Sequence, residues 1–495
     1  MNKLSPITVA AMVACASTAL LLPSNGVAAT YTWTVGAFVP GTTAPEPLPM
    51  GDVLVISGTN SHQFNGVSFT NGGTVDWLSS NTNLPLNGGA SIVNNGLWDS
   101  QGNAGMAGGA SSSFTNNGTL RKSGGTLLTS MVPGTFTNSG TLEAQTGILR
   151  IGGFNNTFNA GTSFAGAGVV EVTSASTFNG AFNSSNLRLL AGTQTGNSAV
   201  LSGTVEVTNA ALAGSWEVAA GQSMQFTTNA GKGIGASTSP ASQFVNNGTM
   251  DLQAGVLGVN YGSTLTNNGQ IDIAAGQINT VTGGGNVVNN GVIRKSGDTG
   301  LSGLVTSTFA NNGTIDVQTG TLRLNNGFVN AGALTGDGAF QIGGTGLNNQ
   351  GTVGAGSGGI GQLDLAGTFA QAASGTLAVD VFSLTSFDLV NIAGGATLGG
   401  TLALNCLGAC SFNVGDTFTI LDGNGLMNGT FADLTFNGFG GATPFDVIYD
   451  VGGANVKLLA NMDFTMPPVP EPSTWALMLG GVGMLGFMGR RRRPA

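Results

Sequence analysis

The chain has 495 residues, of which 84 are glycine, 41% are hydrophobic and only 7% are charged, for a net charge of −9. Ample hydrophobicity beside so little charge is the reverse of a disordered chain's balance, and the few Lys and Glu leave little to coat helices. Gly, Asn, Thr, Val and Phe in excess suit short strands joined by tight turns, and the acidic balance excludes nucleic acid as a partner.

At the amino end Lys3 supplies a positive n-region, Ile7 to Leu22 an apolar run, and Val27-Ala28-Ala29 small residues at a cleavage site. Residues 1–29 therefore predict a secretory signal cut after Ala29, with the Sec translocon and signal peptidase as partners. Acylation at Cys15 is the competing reading. It fits poorly, because the apolar run continues past that cysteine. Residues 30–468 then keep nine of the fourteen Lys and Arg and 22 of the 23 acids, so the exported body stands at 9 − 22 = −13.

Residues 30–60, with Tyr31-Thr32-Trp33 and Gly51-Asp52-Val53-Leu54-Val55-Ile56, resemble the amino-terminal cap of autotransporter-type β-helices. Over 61–359 a phrase then recurs: an apolar residue, a spacer, Asn-Asn-Gly, Thr, then apolar-acidic-apolar. Its first Asn falls at 71, 94, 116 and 138, and again at 246, 267, 289 and 311. The steps are 23, 22 and 22, then 108 (close to five periods), then 21, 22 and 22. Such self-similarity is the signature of a solenoid. Asn-Gly predicts a corner at positive φ, and the alternation of Ile315 and Val317 with Thr314 and Asp316 predicts a half-buried strand. Gly320 turns the chain again, and Leu322 and Leu324 flank Arg323 in a second strand.

The fold expected is all-β: a right-handed parallel β-helix of ~22-residue coils, with ~20 coils giving a rod roughly 95 Å long. The first Asn of each corner is expected to form an internal amide ladder. Residues 139–245 keep strands such as Gly203-Thr204-Val205-Glu206-Val207 and Gly214-Ser215-Trp216-Glu217-Val218 without the Asn corner, and insertions there are expected to be loops.

Residues 360–460 contain Phe387-Asp388-Leu389, Gly415-Asp416-Thr417 and Phe445-Asp446-Val447, which resemble the last repeats of autotransporter passengers. The resemblance implies that they continue and cap the rod. Cys406 and Cys410 are read as a small disulfide loop, since a C-x₃-C pair with a single distant histidine is weak evidence for zinc.

After a linker at 461–468 the tail reads Pro470-Glu471-Pro472, then an uncharged stretch with Trp475, Leu477, Leu479, Leu485 and Phe487, then Arg490, Arg491, Arg492 and Arg493. The prolines keep the tripeptide extended. The apolar stretch is only ~24 Å long as a helix against a core of roughly 30 Å, and the arginines stay cytoplasmic. This order over 469–495 resembles the PEP-CTERM sorting signal of exported bacterial proteins. The resemblance implies recognition by an exosortase, a membrane cysteine transpeptidase, after a transient stay in the inner membrane and before release to the cell surface. The tail family is also associated with ice-binding proteins.

The body offers no catalytic constellation. Pectin-cleaving β-helices need clustered acids or an Arg-x-Lys, and neither is present. His62 is read as structural, and Arg121-Lys122 and Arg294-Lys295 as a variant of the coil. No cofactor or metal is expected. The outward acids Asp76, Asp99, Glu143, Glu171, Glu206, Glu217, Asp251, Asp272 and Asp316 are expected to form one acidic stripe, interrupted by Arg121 and Arg294, that keeps the rod soluble, with loose binding of divalent cations or a cationic polymer as the alternative. Thr at 74, 119, 141, 249 and 314 precedes them, but Leu97, Gln270 and Val292 break that column. The function expected is that of a non-enzymatic, surface-sorted structural or adhesive rod of a biofilm or exopolysaccharide matrix. Polysaccharide binding or cleavage, and ice binding, are the alternatives.

Overall fold

The computed structural model describes residues 27–78, 83–237, 239–450 and 454–466. The signal up to residue 26 lies outside them. So do Pro470, Glu471, Pro472, Trp475, Leu477, Leu479, Leu485, Phe487 and Arg490 to Arg493.

The described chain is a parallel β-solenoid of about 17 turns with roughly 22 residues in each. At ~4.8 Å per turn it is a rod roughly 80 Å long, shorter than the ~95 Å expected. Each turn lays one strand on each of three faces. Face 1 carries Ser91–Asn94, Ser113–Asn116 and Thr135–Asn138, paired in register. Face 2 carries Leu97–Ser100, Thr119–Lys122 and Thr141–Ala144. Face 3 carries Met106–Gly108, Leu128–Val132 and Ile148–Ile151. Alternate residues point inward, and Ile92, Phe114 and Phe136 stack through one continuous core with Trp98, Leu120 and Leu142.

The expected amide ladder is present. Asn71, Asn94 and Asn116 each donate Nδ2 to Oδ1 of the next asparagine, up to Asn138, at 2.6–2.7 Å. Buried polar groups need such partners, and each Asn also donates to a corner carbonyl of the following coil. The corner glycines work differently from expectation. None of Gly96, Gly118 and Gly140 has positive φ. A Cβ on Gly118 would lie 2.1 Å from the Gly96 carbonyl oxygen, and one on Gly140 would lie 2.0 Å from that of Gly118. Glycine is required there by the close approach of the coil beneath. Gly320, by contrast, turns at φ +68 as expected.

A second ladder runs Asn246–Asn267–Asn289–Asn311–Asn330–Asn349. Its corner is not the corner of the first. Asn138 ends a face-1 strand, whereas Asn246 ends Gln243–Asn246, which pairs with Ser215–Val218 on face 2. The interval is therefore five coils and one further face. Most of the residues between are strand: Ser176–Leu189, Thr193–Val207 and Ala211–Val218 run almost without interruption.

The ends are closed by different means. Thr30–Trp33 pairs with Val53–Ile56, and Trp33, Phe38, Phe64 and Phe69 pack edge-on or tilted over the first coils. At the other end parallel coils continue to Asp433–Asn437. Asn455–Ala460 then lies antiparallel to Thr417–Gly423 and to Phe445–Asp450, so the last edge is covered by a hairpin. Among the described residues no helix is long and apolar enough to cross a membrane.

Charged ladders on the rod and the carboxy-terminal motif

The outward acids do not form one stripe. Asp76, Asp99, Glu143 and Glu217 stand on face 2. Glu171, Glu206, Asp251, Asp272 and Asp316 stand on face 3. The change of register between the two asparagine ladders divides them. Nor are they bare. Register brings Arg150, Glu171, Arg188 and Glu206 into one column of alternating sign. Arg150 meets Glu171 at 2.8 Å, and Arg188 bridges Glu171 at 3.1 Å and Glu206 at 2.7 Å. Arg121 pairs with Glu143 at 2.8 Å, and Arg294 sits between Asp272 at 3.8 Å and Asp316 at 3.7 Å. Arg150 and Arg188 were missed in the sequence because their partners lie 21 and 18 residues away, on the next coil.

The paired dipeptides divide their charges between outside and inside. Arg121 and Arg294 face out, while Lys122 and Lys295 are wholly buried. Lys122 Nζ donates to the carbonyls of Gly102 and Gly124, both at 2.7 Å, and to Asn103 Oδ1 at 3.3 Å. Lys295 Nζ meets Asp298 Oδ1 at 2.5 Å. Burial pushes the Lys122 ammonium below its ordinary range, as it does Lys232. These are ammonium plugs that satisfy corner carbonyls.

His62 is also internal. Its Nε2 lies 3.1 Å from the Trp33 carbonyl oxygen, and its ring is edge-on to Trp33 at 5.0 Å. Cys406 and Cys410 are joined as a disulfide. Ala29 donates its N–H to Asp52 Oδ1 at 2.9 Å, and its carbonyl accepts from Val53 N–H at 2.8 Å. Among the described residues no three His, Cys, Asp or Glu side chains form a group that could hold a metal ion. One carboxyl stands apart: Asp388 is 1% exposed and is pushed up to about 7 by burial. The nearby charges of Asp380 and Asp337 add to that rise, while the N–H groups of Gly361 and Asp380, donating to its two oxygens, oppose it.

The threonines at 74, 119 and 141 share face 2, and those at 249 and 314 lie on face 3. A longer column, not considered in the sequence, lies on face 1: Thr115, Thr137, Thr157, Thr177 and Thr195 pair in register, with no charged residue among them. It arises on the strand before the Asn corner rather than after it.

The most specific functional signal is in the tail. Residues 468–493 match the PEP-CTERM protein-sorting motif. That match implies an exported protein sorted to the cell surface by an exosortase, with the β-solenoid as the part delivered. No curated protein is significantly similar to the chain.

Proposed function

We propose that this protein is a structural or adhesive rod of the extracellular polysaccharide matrix, and not an enzyme. The observation that carries the reading is a sorting motif attached to a solenoid whose Arg121, Arg150, Arg188 and Arg294 are paired with its own acids. Arginines held by the rod's own acids are not free to position a substrate, whereas a rod tens of ångströms long presents extended faces to a polymer. The signal ending at Ala29 and the transient inner-membrane stay belong to the same proposal, with signal peptidase and the Sec translocon as earlier partners. A strain lacking the protein should form a matrix of lower cohesion, restored by the full chain. Unchanged cohesion under shear, with the protein shown to be expressed in the wild type, refutes this role.

Ice binding is the second reading, favoured by the uncharged Thr115–Thr195 column on face 1. Thermal hysteresis of the purified protein tests it, and a value no greater than that of an inert protein removes it.

A further inference from the structure

Face 1 carries two depressions in line along the rod. One, of about 430 Å³, is lined by Asn155, Thr157, Thr177, Thr193, Thr195 and Ser239. The next, of about 620 Å³, is lined by Thr193, Asn229, Lys232, Gly233, Asn260 and Tyr261 among others. They share Thr193. Register carries face 1 from Thr157 through Thr177 to Thr195, and in the neighbouring column from Thr193 through Ala211 and Gly233 to Gly258. Five coil steps at ~4.8 Å make a track of roughly 24 Å.

The lining mixes hydroxyls and amides with Ala210, Ala211, Val256 and Val281, and includes no acid. Its one cation, Lys232, is 5% exposed and turned inward, where its Nζ donates to the carbonyls of Thr228, Ala230 and Ala254. Asn260 uses Oδ1 to accept the N–H groups of Val281 and Thr282, both at 3.0 Å. Its Nδ2 then lies over the glycine floor, 3.2 Å and 2.5 Å from where Cβ atoms of Gly233 and Gly258 would stand. That amide has no hydrogen-bond partner among the described residues. Beside it Tyr261 is 36% exposed, on a backbone held at φ 54, while the tryptophans of the described body are buried.

These parts match the chemistry of a pyranose. A sugar ring has an apolar C–H face that packs on an aromatic ring, and a rim of hydroxyls that need both donors and acceptors. Tyr261 offers the ring, Asn260 a donor, and the threonines groups that do both. The absence of a free cation in the track, on a body of charge −13, disfavours polyuronates and other anionic polymers. We infer that face 1, from Thr157 to Tyr261, is a binding track for a linear, neutral polysaccharide. This rests on the adhesive reading and names its ligand class.

Calorimetric titration of the full chain in mild detergent with cellohexaose, xylohexaose and hexagalacturonate tests it. At least one neutral oligosaccharide should bind, and hexagalacturonate should not. Tyr261→Asn keeps a residue tolerant of positive φ and removes the ring; Thr195→Val keeps shape and removes the hydroxyl. Each should weaken binding about ten-fold, and Thr119→Val on face 2 should leave it unchanged. Should Tyr261→Asn fail to fold by circular dichroism, Thr195→Val carries the test. Neutral binding undiminished in the folded variants overturns the track while leaving the adhesive reading intact. No binding of any sugar by protein that is folded counts against both. Preference for hexagalacturonate overturns the ligand class, and thermal hysteresis lost in Thr195→Val without sugar binding assigns the face to ice instead.

Discussion

Asn138 and Asn246 hold the same place in the repeated phrase, yet they stand on different corners of the rod. Asn138 closes a face-1 strand and passes its Nδ2 to Thr162 Oγ1 at 3.1 Å, ending the first ladder. Asn246 closes a face-2 strand and begins the second, donating to Asn267 while its own buried Oδ1 accepts from none of the described residues. Between them the polar spine of the rod moves by one face, and the charged columns move with it.

The ends and middles of a ladder should therefore differ in energy. Asn267 accepts from Asn246 and donates to Asn289 and to the Val292 carbonyl. Asn267→Leu strands buried groups on both sides and should cost ~2–3 kcal/mol. Asn246→Leu strands fewer groups and should cost less. Urea denaturation of the two variants checks the order, and equal losses would show that the ladder does not act as a chain.

The buried ammonium groups predict alkaline stabilisation. Lys122 has its folded value lowered by burial, so below both the folded and the unfolded value the folded state bears the full cost of the buried charge. As pH rises through the folded value towards ~10.4 that cost is relieved, and stability should rise over the alkaline range that ends there. Lys122→Met should flatten part of this rise, with Lys232 supplying the rest. Denaturation midpoints across that range measure it; the same slope in wild type and variant counts against the assignment.

Asp388 predicts the opposite trend at lower pH. Its folded value of about 7 lies above the ordinary carboxyl range, so its contribution is whole below ~3.9 and is lost as pH rises through 7. Wild-type stability relative to Asp388→Ala should fall by a few kcal/mol between about pH 5 and 8. A difference that is flat with pH would place the folded value back in the ordinary range.

Sorting makes the last prediction. Replacing Pro470, Glu471 and Pro472 with alanine should leave a folded rod in the inner membrane, because the apolar stretch still inserts and Arg490 to Arg493 still hold it. Neutralising the four arginines should disturb processing. Mass spectrometry of surface-extracted protein decides the matter: an intact Arg493-Pro494-Ala495 terminus in the mature pool refutes processing at the tripeptide.

The repeat spacing alone determined that the body is a β-solenoid with an internal asparagine ladder, because one coil's length and its alternation are local properties of the chain. The tail likewise declared its destination in 26 matched residues. Which outward side chains become neighbours could not be read so. That depends on how many residues each coil uses, and across 139–245 the coils shorten until the Asn corner has advanced by a face. Only the tertiary register placed Glu171 between Arg150 and Arg188, turned Lys122 inward, and set Thr157 in line with Thr195. A solenoid's side-chain contacts run between coils some twenty residues apart, so a shift of a few residues per coil reassigns every neighbour while leaving each strand's own pattern unchanged.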